Sequence, residues 1–343
     1  HKGVKCVDCH DPHTARTLAK GNDLCVRCHV PKPENPTLYD SPTHHHHPVG
    51  TKGSQCVECH MPEKNYMVVD PRRDHSIRVP RPDLSVKLGT PNACNRCHDD
   101  KDAQWAADWV AKWHGPERAR DVRHAETFAA ARKGEPGVEK RLLAVVSDTE
   151  SPAFTRASAL LALRPYQDSR GFFAAIQALK DPEALVRVAA ISKLENWPRD
   201  ELRRLLTPLL HDPARAVRTE IARVLSPINK GDLNDKDFKA YSSAQGELQK
   251  RFTDHLDRPE AHLSLGIQAS KRGDKAQTVG DKAQAKRLFA EAKKRYLQSI
   301  RRDENFVPAR VNLAHLVNRE GDKAQAERLW KEVTKPMPEW GDG

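Results

Sequence analysis

Aromatic residues make up only 6% of this 343-residue chain and hydrophobic residues 38%, with a mean hydropathy of -0.76. A large core built on Phe, Tyr and Trp is thereby excluded. Any apolar interior must be rich in Leu, Ala and Val, or must borrow apolar surface from a bound group. No run reaches the roughly 20 apolar residues of a membrane helix, so no integral membrane segment is expected. A charged, apolar, small-residue leader is also missing. The chain starts at His1, five residues before its first cysteine, and we expect a processed product or a fragment. Acidic residues are in deficit, 47 against 58 Lys and Arg, for a formal charge of +11. Such an excess invites a nucleic-acid or anionic-surface reading, but no nucleic-acid reading motif accompanies it, and no nucleic-acid partner is expected.

What is present is concentrated at the start. All eight cysteines lie before residue 100, in four complete Cys-x-x-Cys-His motifs: Cys6 to His10, Cys25 to His29, Cys56 to His60 and Cys94 to His98. Two thiols three positions apart can add across the two vinyl groups of one porphyrin, and the adjacent histidine then reaches the iron from the proximal side. Zinc ribbons, disulfides and thioredoxin-like pairs are the competing readings, and none of them needs a histidine directly after each second cysteine. The expected cofactor is therefore covalent haem c, four per chain. It would be attached through Cys6, Cys9, Cys25, Cys28, Cys56, Cys59, Cys94 and Cys97, with His10, His29, His60 and His98 as proximal ligands. Eight propionates would bring the charge to about +3, a modest balance for a soluble domain. Roughly 23 residues serve each motif, so the haems must adjoin and take the place of an aliphatic core.

Of the 17 histidines, thirteen remain for other roles. His13, the run His44-His45-His46-His47 and His75 are candidate distal ligands, named here as His13, His44, His45, His47 and His75, with His1 as a further one. Alternate members of an extended run face opposite ways, so this run can serve two haems. A purification tag or surface metal site is the bland alternative for it. Met61 and Met67 could instead supply thioethers. Arg72 and Arg73, with Arg78 and Arg81 in the same Pro-punctuated loop, suit haem propionates, or else form a solvated basic loop. Trp105, Trp109 and Trp113 share one helical face and are expected to pack, while His114, His124 and the later histidines are expected on the surface or in packing.

Beyond residue 100 the composition turns to Ala, Leu, Arg and Glu. A helix is predicted through Trp105 to Trp113, closing at Gly115-Pro116. Asp148 to Arg156, Asp181-Pro182 to Arg187 and Asp212-Pro213 to Arg218 then recur, each leading into an Ala/Leu-rich helix. The Asp-Pro start predicts a helix cap, and the Val-Arg pair an apolar and a basic residue on opposite sides. These look like HEAT-class repeats, in which Asp and Arg of neighbouring units often interact. After a polar linker, 230–239, the phrase Gly-Asp-Lys-Ala-Gln at Gly273, Gly280 and Gly321 resembles the turn of tetratricopeptide repeats, its doubling near residue 280 predicting a lengthened loop or helix. The expected fold is mainly α: a loop-rich multihaem domain over 1–100, linking helices over 101–135, HEAT-like repeats over 136–230 and TPR-like repeats over 240–340, the last three forming an α-solenoid.

Lys2-Gly3-Val4-Lys5-Cys6, Cys9-His10-Asp11-Pro12-His13, the histidine run, Cys59-His60-Met61-Pro62, Tyr66 through His75, and Gly89-Thr90-Pro91-Asn92-Ala93-Cys94 together resemble the doubled-CXXCH multihaem cytochromes that carry C-terminal tetratricopeptide or HEAT repeats. The likeness is specific over 1–115 and general beyond. It implies an exported bacterial electron carrier, periplasmic or extracellular, with bis-histidine haems. Members carry further haem motifs upstream, which leads us to expect a missing N-terminal region. The implied partner is a redox protein, another multihaem cytochrome or a second copy. A nitrite- or hydroxylamine-type reductase with one open haem, and a subunit of an extracellular haem filament, are the rival readings. The plain motifs and the surplus of histidine favour a non-enzymatic carrier.

Overall fold

The computed structural model describes residues 4–33, 36–66, 69–115, 123–228 and 230–333, and the chain divides into two compact units at Arg123/His124. Among the described residues there are eighteen α-helices and one two-stranded sheet.

The first unit is built of short pieces. Its helices are α1 (Cys6–Cys9), α2 (Asp23–Val26), α3 (Pro42–His45), α4 (Cys56–His60), α5 (Pro82–Leu88) and α6 (Ala103–His114). Strands β1 (Glu63–Tyr66) and β2 (Asp70–Arg73) form an antiparallel hairpin in which Glu63 faces Arg73 and Tyr66 faces Asp70. Asp102 caps α6 by accepting from Trp105 N at 2.8 Å, and the helix ends where Gly115 adopts φ +82°. Ala106 and Pro82 are the only apolar side chains of this unit that are buried among the described residues, whereas Val7, Leu18, Val30, Leu38 and Ile77 stand exposed. A unit of this size with no side-chain core of its own needs something else to hold it.

The second unit is a run of paired helices: α7 (Arg123–Lys133), α8 (Val138–Ser147), α9 (Ala153–Ala162), α10 (Ser169–Ala178), α11 (Ala184–Leu194), α12 (Arg199–Leu206), α13 (Arg215–Leu225) and α14 (Asp235–Thr253), then α15 (Pro259–Thr278), α16 (Lys282–Arg302), α17 (Val307–Arg319) and α18 (Lys323–Val333). A first cluster joins Ala130, Val138, Leu142 and Leu163, and the main one runs from Ala157 and Leu160 through Ile191, Leu206 and Ile221 to Leu248. Tyr241, Ala244 and Leu248 belong to that main core. Hence the expected polar linker at 230–239 is only a short turn followed by α14, whose i, i+3, i+7 apolar face closes the repeats.

The repeated arginines reach acids of the neighbouring units, as the likeness to HEAT repeats implied. Arg156 is buried and donates to both carboxylate oxygens of Asp181 at 3.0 and 3.1 Å. Arg187 binds Asp212 with Nε at 2.8 Å and Nη2 at 2.9 Å, and Arg218 binds Glu247 of α14. Each also donates through Nη1 to carbonyls at its own repeat's start, such as Ser151, Asp181 and Asp212. One guanidinium thus ties its own turn to the next repeat's acid. The Asp side chains do not cap the helices directly. Asp181 and Asp212 instead accept from Glu183 N and Ala214 N in the turn ahead.

In the last four helices the first Gly273 phrase lies inside α15, so the doubled phrase lengthens a helix, and the turns fall at Gly280 (φ +85°) and Gly321 (φ +96°). Asp281 and Asp322 there accept from Gln284 N and Gln325 N. Gly266 meets Tyr296 and Gly273 meets Phe289. The earlier residue advances by seven as the later recedes by seven, which makes α15 and α16 antiparallel. A Cβ on either glycine would fall within 2.6 Å of those rings, so only glycine lets the helices approach this closely.

Two outcomes follow from the ion pairs. The Arg187 and Asp212 side chains are 12% and 6% exposed, so Arg187→Ala strands a buried carboxylate and should cost about 3 kcal/mol in urea unfolding followed by far-UV circular dichroism, with Asp212→Ala added to it restoring part. Arg223 donates to Glu195 and Glu220. Hydrogen bonding to Arg223 holds the Glu195 carboxyl below its ordinary value. At Glu220 burial works upward, but Arg223 and Ser192 outweigh it and the value is again lowered. Depressed folded-state values give stability that is complete above the ordinary glutamate range and lost as pH falls through it. An acid titration of the unfolding midpoint should therefore slope downward there, and Arg223→Gln should flatten it.

Candidate haem sites

Each CXXCH motif occupies one helical turn. The histidine amide donates back to the first cysteine carbonyl: His10 to Cys6 at 2.8 Å, His29 to Cys25 at 3.0 Å and His98 to Cys94 at 3.0 Å. The third motif is α4 itself. A helical turn puts residues i, i+3 and i+4 on one side, which gathers two sulfurs and an imidazole on one face. Successive motifs adjoin. Cys25 and Cys56 are within hydrogen-bond reach, and Cys59 senses Cys94 and Cys97. Burial raises the thiols of Cys25 and Cys94 and takes Cys59 to about 11 and Cys56 to about 12. None of these four is an activated thiolate. All eight cysteines are free of disulfides.

The histidines supply the test of fit. With about 2 Å from metal to imidazole nitrogen and about 1.1 Å on to the ring centre, two imidazoles on opposite sides of one iron have centres about 6.3 Å apart. His10 and His75 lie at 6.3 Å, His60 and His44 at 6.2 Å, and His98 and His47 at 6.2 Å. Their interplanar angles are 35°, 3° and 39°. In four of these rings Nδ1 donates to a backbone carbonyl: His10 to Ala15 (2.8 Å), His60 to Arg78 (2.8 Å), His75 to Arg73 (2.9 Å) and His47 to His45 (2.5 Å). That bond fixes the tautomer and leaves the Nε2 lone pair for iron. These residues fit haem. His29, the remaining proximal histidine, has Tyr39 as its ring neighbour at 5.6 Å.

The other expected ligands fare differently. His1 and the alternative ligand Met67 lie outside the described residues. His13 is exposed, its amide bound to Asp11, with no ring contact to a proximal histidine among the described residues. His45 Nδ1 accepts from the amide of His47 at 3.2 Å, and its Nε2 is buried without a hydrogen-bond partner. The run is also not extended. It is a helical turn, α3, that ends at His46 in the left-handed region (φ +55°), and this turn sends His44 and His47 to different motifs.

Arg72 and Arg73 each pair with a carboxylate of this unit. Arg72 pairs with Asp70 at 2.7 Å and lies over Tyr66. Arg73 pairs with Glu58 at 2.7 Å and donates to the carbonyls of Val57 and Met61. Arg73 thereby clamps the hairpin to the third motif. Arg78 and Arg81 likewise face Asp74 and Asp83.

Trp105, Trp113 and His114 pack on histidines of this unit, with Trp109 between the two tryptophans. Trp105 sits 4.9 Å from His98, and Trp113 stacks on His46 at 4.1 Å and 11°. His114 lies 5.9 Å from His44. The periodicity marked this face of α6 correctly. What Trp113 and His114 pack on was invisible, because His46 and His44 lie more than 60 residues earlier, whereas Trp105 meets His98 only seven residues away. Gly53 was also missed: a Cβ there would come within 2.3 Å of His47 Cδ2. Gly53→Ala should push His47 away from His98, converting one haem of the holoprotein from low to high spin, read by electron paramagnetic resonance and by carbon monoxide difference spectra.

A model of the doubled CXXCH motif matches residues 1–34, and a model of HEAT repeats matches residues 174–239. Neither a curated protein nor a solved structure matches the chain. The doubled motif marks covalent c-type haem binding, and together with the HEAT match it supports a doubled-CXXCH cytochrome with HEAT-like repeats.

Proposed function

We propose that the chain is an electron-transfer protein carrying four covalent haems, one at each of its motifs, and that it is not an enzyme. The observation that carries this is the spacing of three ring pairs, His10/His75, His60/His44 and His98/His47, at 6.2 to 6.3 Å. Two histidines on one iron fill its coordination sphere, leaving no position for a substrate. The bound group supplies a reversible one-electron iron couple. The chain's own contribution is to hold the ligands still, by Nδ1 bonds to carbonyls and by the α6 tryptophans, so that little reorganises when charge moves. Adjoining motifs, with Cys25 beside Cys56 and Cys59 beside Cys94, keep successive porphyrins within short reach.

The helical half is the docking part. HEAT repeats support protein–protein interaction, and Phe154 and Leu185, which stand two positions before the ladder arginines of consecutive repeats, are 73% and 49% exposed. Its partner in this reading is another redox protein, a multihaem cytochrome or a second copy, and the hairpins α15/α16 and α17/α18 are tetratricopeptide-like units that extend the same surface. Haem is joined to cysteine outside the bacterial cytoplasm, so the working site is periplasmic or extracellular. No described helix is long and apolar enough to cross a membrane.

Haem content by pyridine haemochrome, together with electron paramagnetic resonance of the oxidised protein, tests this reading. Four haems per chain, with low-spin signals accounting for those at His10, His60 and His98, are expected. Fewer than four haems would sink the stoichiometry. A high-spin haem that binds nitrite or hydroxylamine would move the protein to the reductase class, and His29, beside Tyr39, is where it would arise. Filaments in electron micrographs would add assembly to the same chemistry.

A further inference from the structure

We propose that Tyr39 is a positioning residue that holds the imidazole of His44 coplanar with that of His60, and so sets the electronic axis of the third haem. The proposal rests on the bis-histidine reading of that pair. An imidazole bound through one nitrogen can turn about the metal–nitrogen axis, and its angle is set by what lies against it. The His10/His75 and His98/His47 pairs come to rest at 35° and 39°, whereas His44 and His60 lie at 3°. His60 is held by its Nδ1 bond to the Arg78 carbonyl. On the other side Tyr39 meets His44 edge to face, at 5.1 Å and 86°. The same tyrosine meets His29 at 5.6 Å and 81°, so one ring stands between the proximal ligand of the second motif and the distal ligand of the third. Edge-to-face contact is the preferred geometry for aromatic pairs, and two such contacts at near right angles leave neither imidazole free to swing.

The backbone that carries Tyr39 is itself pinned. The Asn22 side chain donates to Asp40 Oδ1 at 2.7 Å and to the Ser54 carbonyl at 2.9 Å, and accepts from Cys56 N at 2.9 Å. One amide therefore fastens the residue after Tyr39 to the N-terminus of α2 and to the first cysteine of the third motif. His114 also approaches His44, but farther off and obliquely, at 5.9 Å and 59°.

Imidazole planes that turn away from parallel raise the lowest-field g value of a low-spin ferric haem. The experiment is electron paramagnetic resonance on oxidised holoprotein of wild type, Tyr39→Leu, Tyr39→Phe and His114→Ala, with haem content and circular dichroism recorded alongside. The wild type should show one rhombic signal whose low-field g value is the smallest of the set. Tyr39→Leu should move that signal to a higher g value, Tyr39→Phe should retain it, and His114→Ala should shift it less. An unmoved signal in a fully loaded, folded Tyr39→Leu variant overturns the proposal, as does a Tyr39→Phe variant that shifts as far as Tyr39→Leu. Absence of the rhombic signal from the wild type itself would overturn the His44/His60 pairing, and the role of Tyr39 with it.

Discussion

The spacing of paired imidazoles is the constraint on which the first unit depends. With Ala106 and Pro82 its only buried apolar side chains among the described residues, this unit cannot hold its short helices by burial. Each ring pair instead joins segments far apart in sequence: His10 to His75, His44 to His60, His47 to His98. A bond to a common iron closes loops in the way a disulfide does, and closing a loop restricts the unfolded chain more as the loop lengthens. In the proposed reading the cofactor would thus be structural before it is functional. Arg73 on Glu58 and Asn22 between Asp40 and Cys56 are secondary ties that align the motifs.

The helical unit solves a different problem with related means. Its Leu- and Ala-rich faces bury themselves, so cohesion is not in question, but a stack of near-identical helix pairs needs a fixed register. The buried arginines supply it. Each spans from the carbonyls of its own turn to the carboxylate of the next unit, and a one-residue slip would leave both charges unpaired in a low-dielectric setting. At the last step the acid is Glu247 on α14 rather than an Asp-Pro turn, which is how the series ends. A rigid stack of this kind presents Phe154 and Leu185 at regular intervals without itself changing shape.

Much of this was legible in the residues. Four intact CXXCH motifs point to covalent haem by their chemistry alone, and the period of Asp and Arg foretold the repeat, its likeness to HEAT units the pairing between them. The helix through Trp105 to Trp113, and its end at Gly115, followed from apolar spacing and a glycine stop. Local pattern suffices where the governing interaction is local, as it is within five residues of a haem motif or one turn of a helix.

What only the tertiary structure decided is which side chain meets which across long separations. Composition offered six distal candidates without ranking them. The fold sends His44 and His47 to different motifs because the run is a helical turn ending in a left-handed residue. It also gave the loop arginines carboxylate partners, turned the repeat arginines inward and drew α14 out of a supposed linker into the core. Charge and periodicity describe a residue's own preferences, but a ligand, an ion pair or a ring contact is a relation between two residues, and that relation exists only once the chain has brought them together.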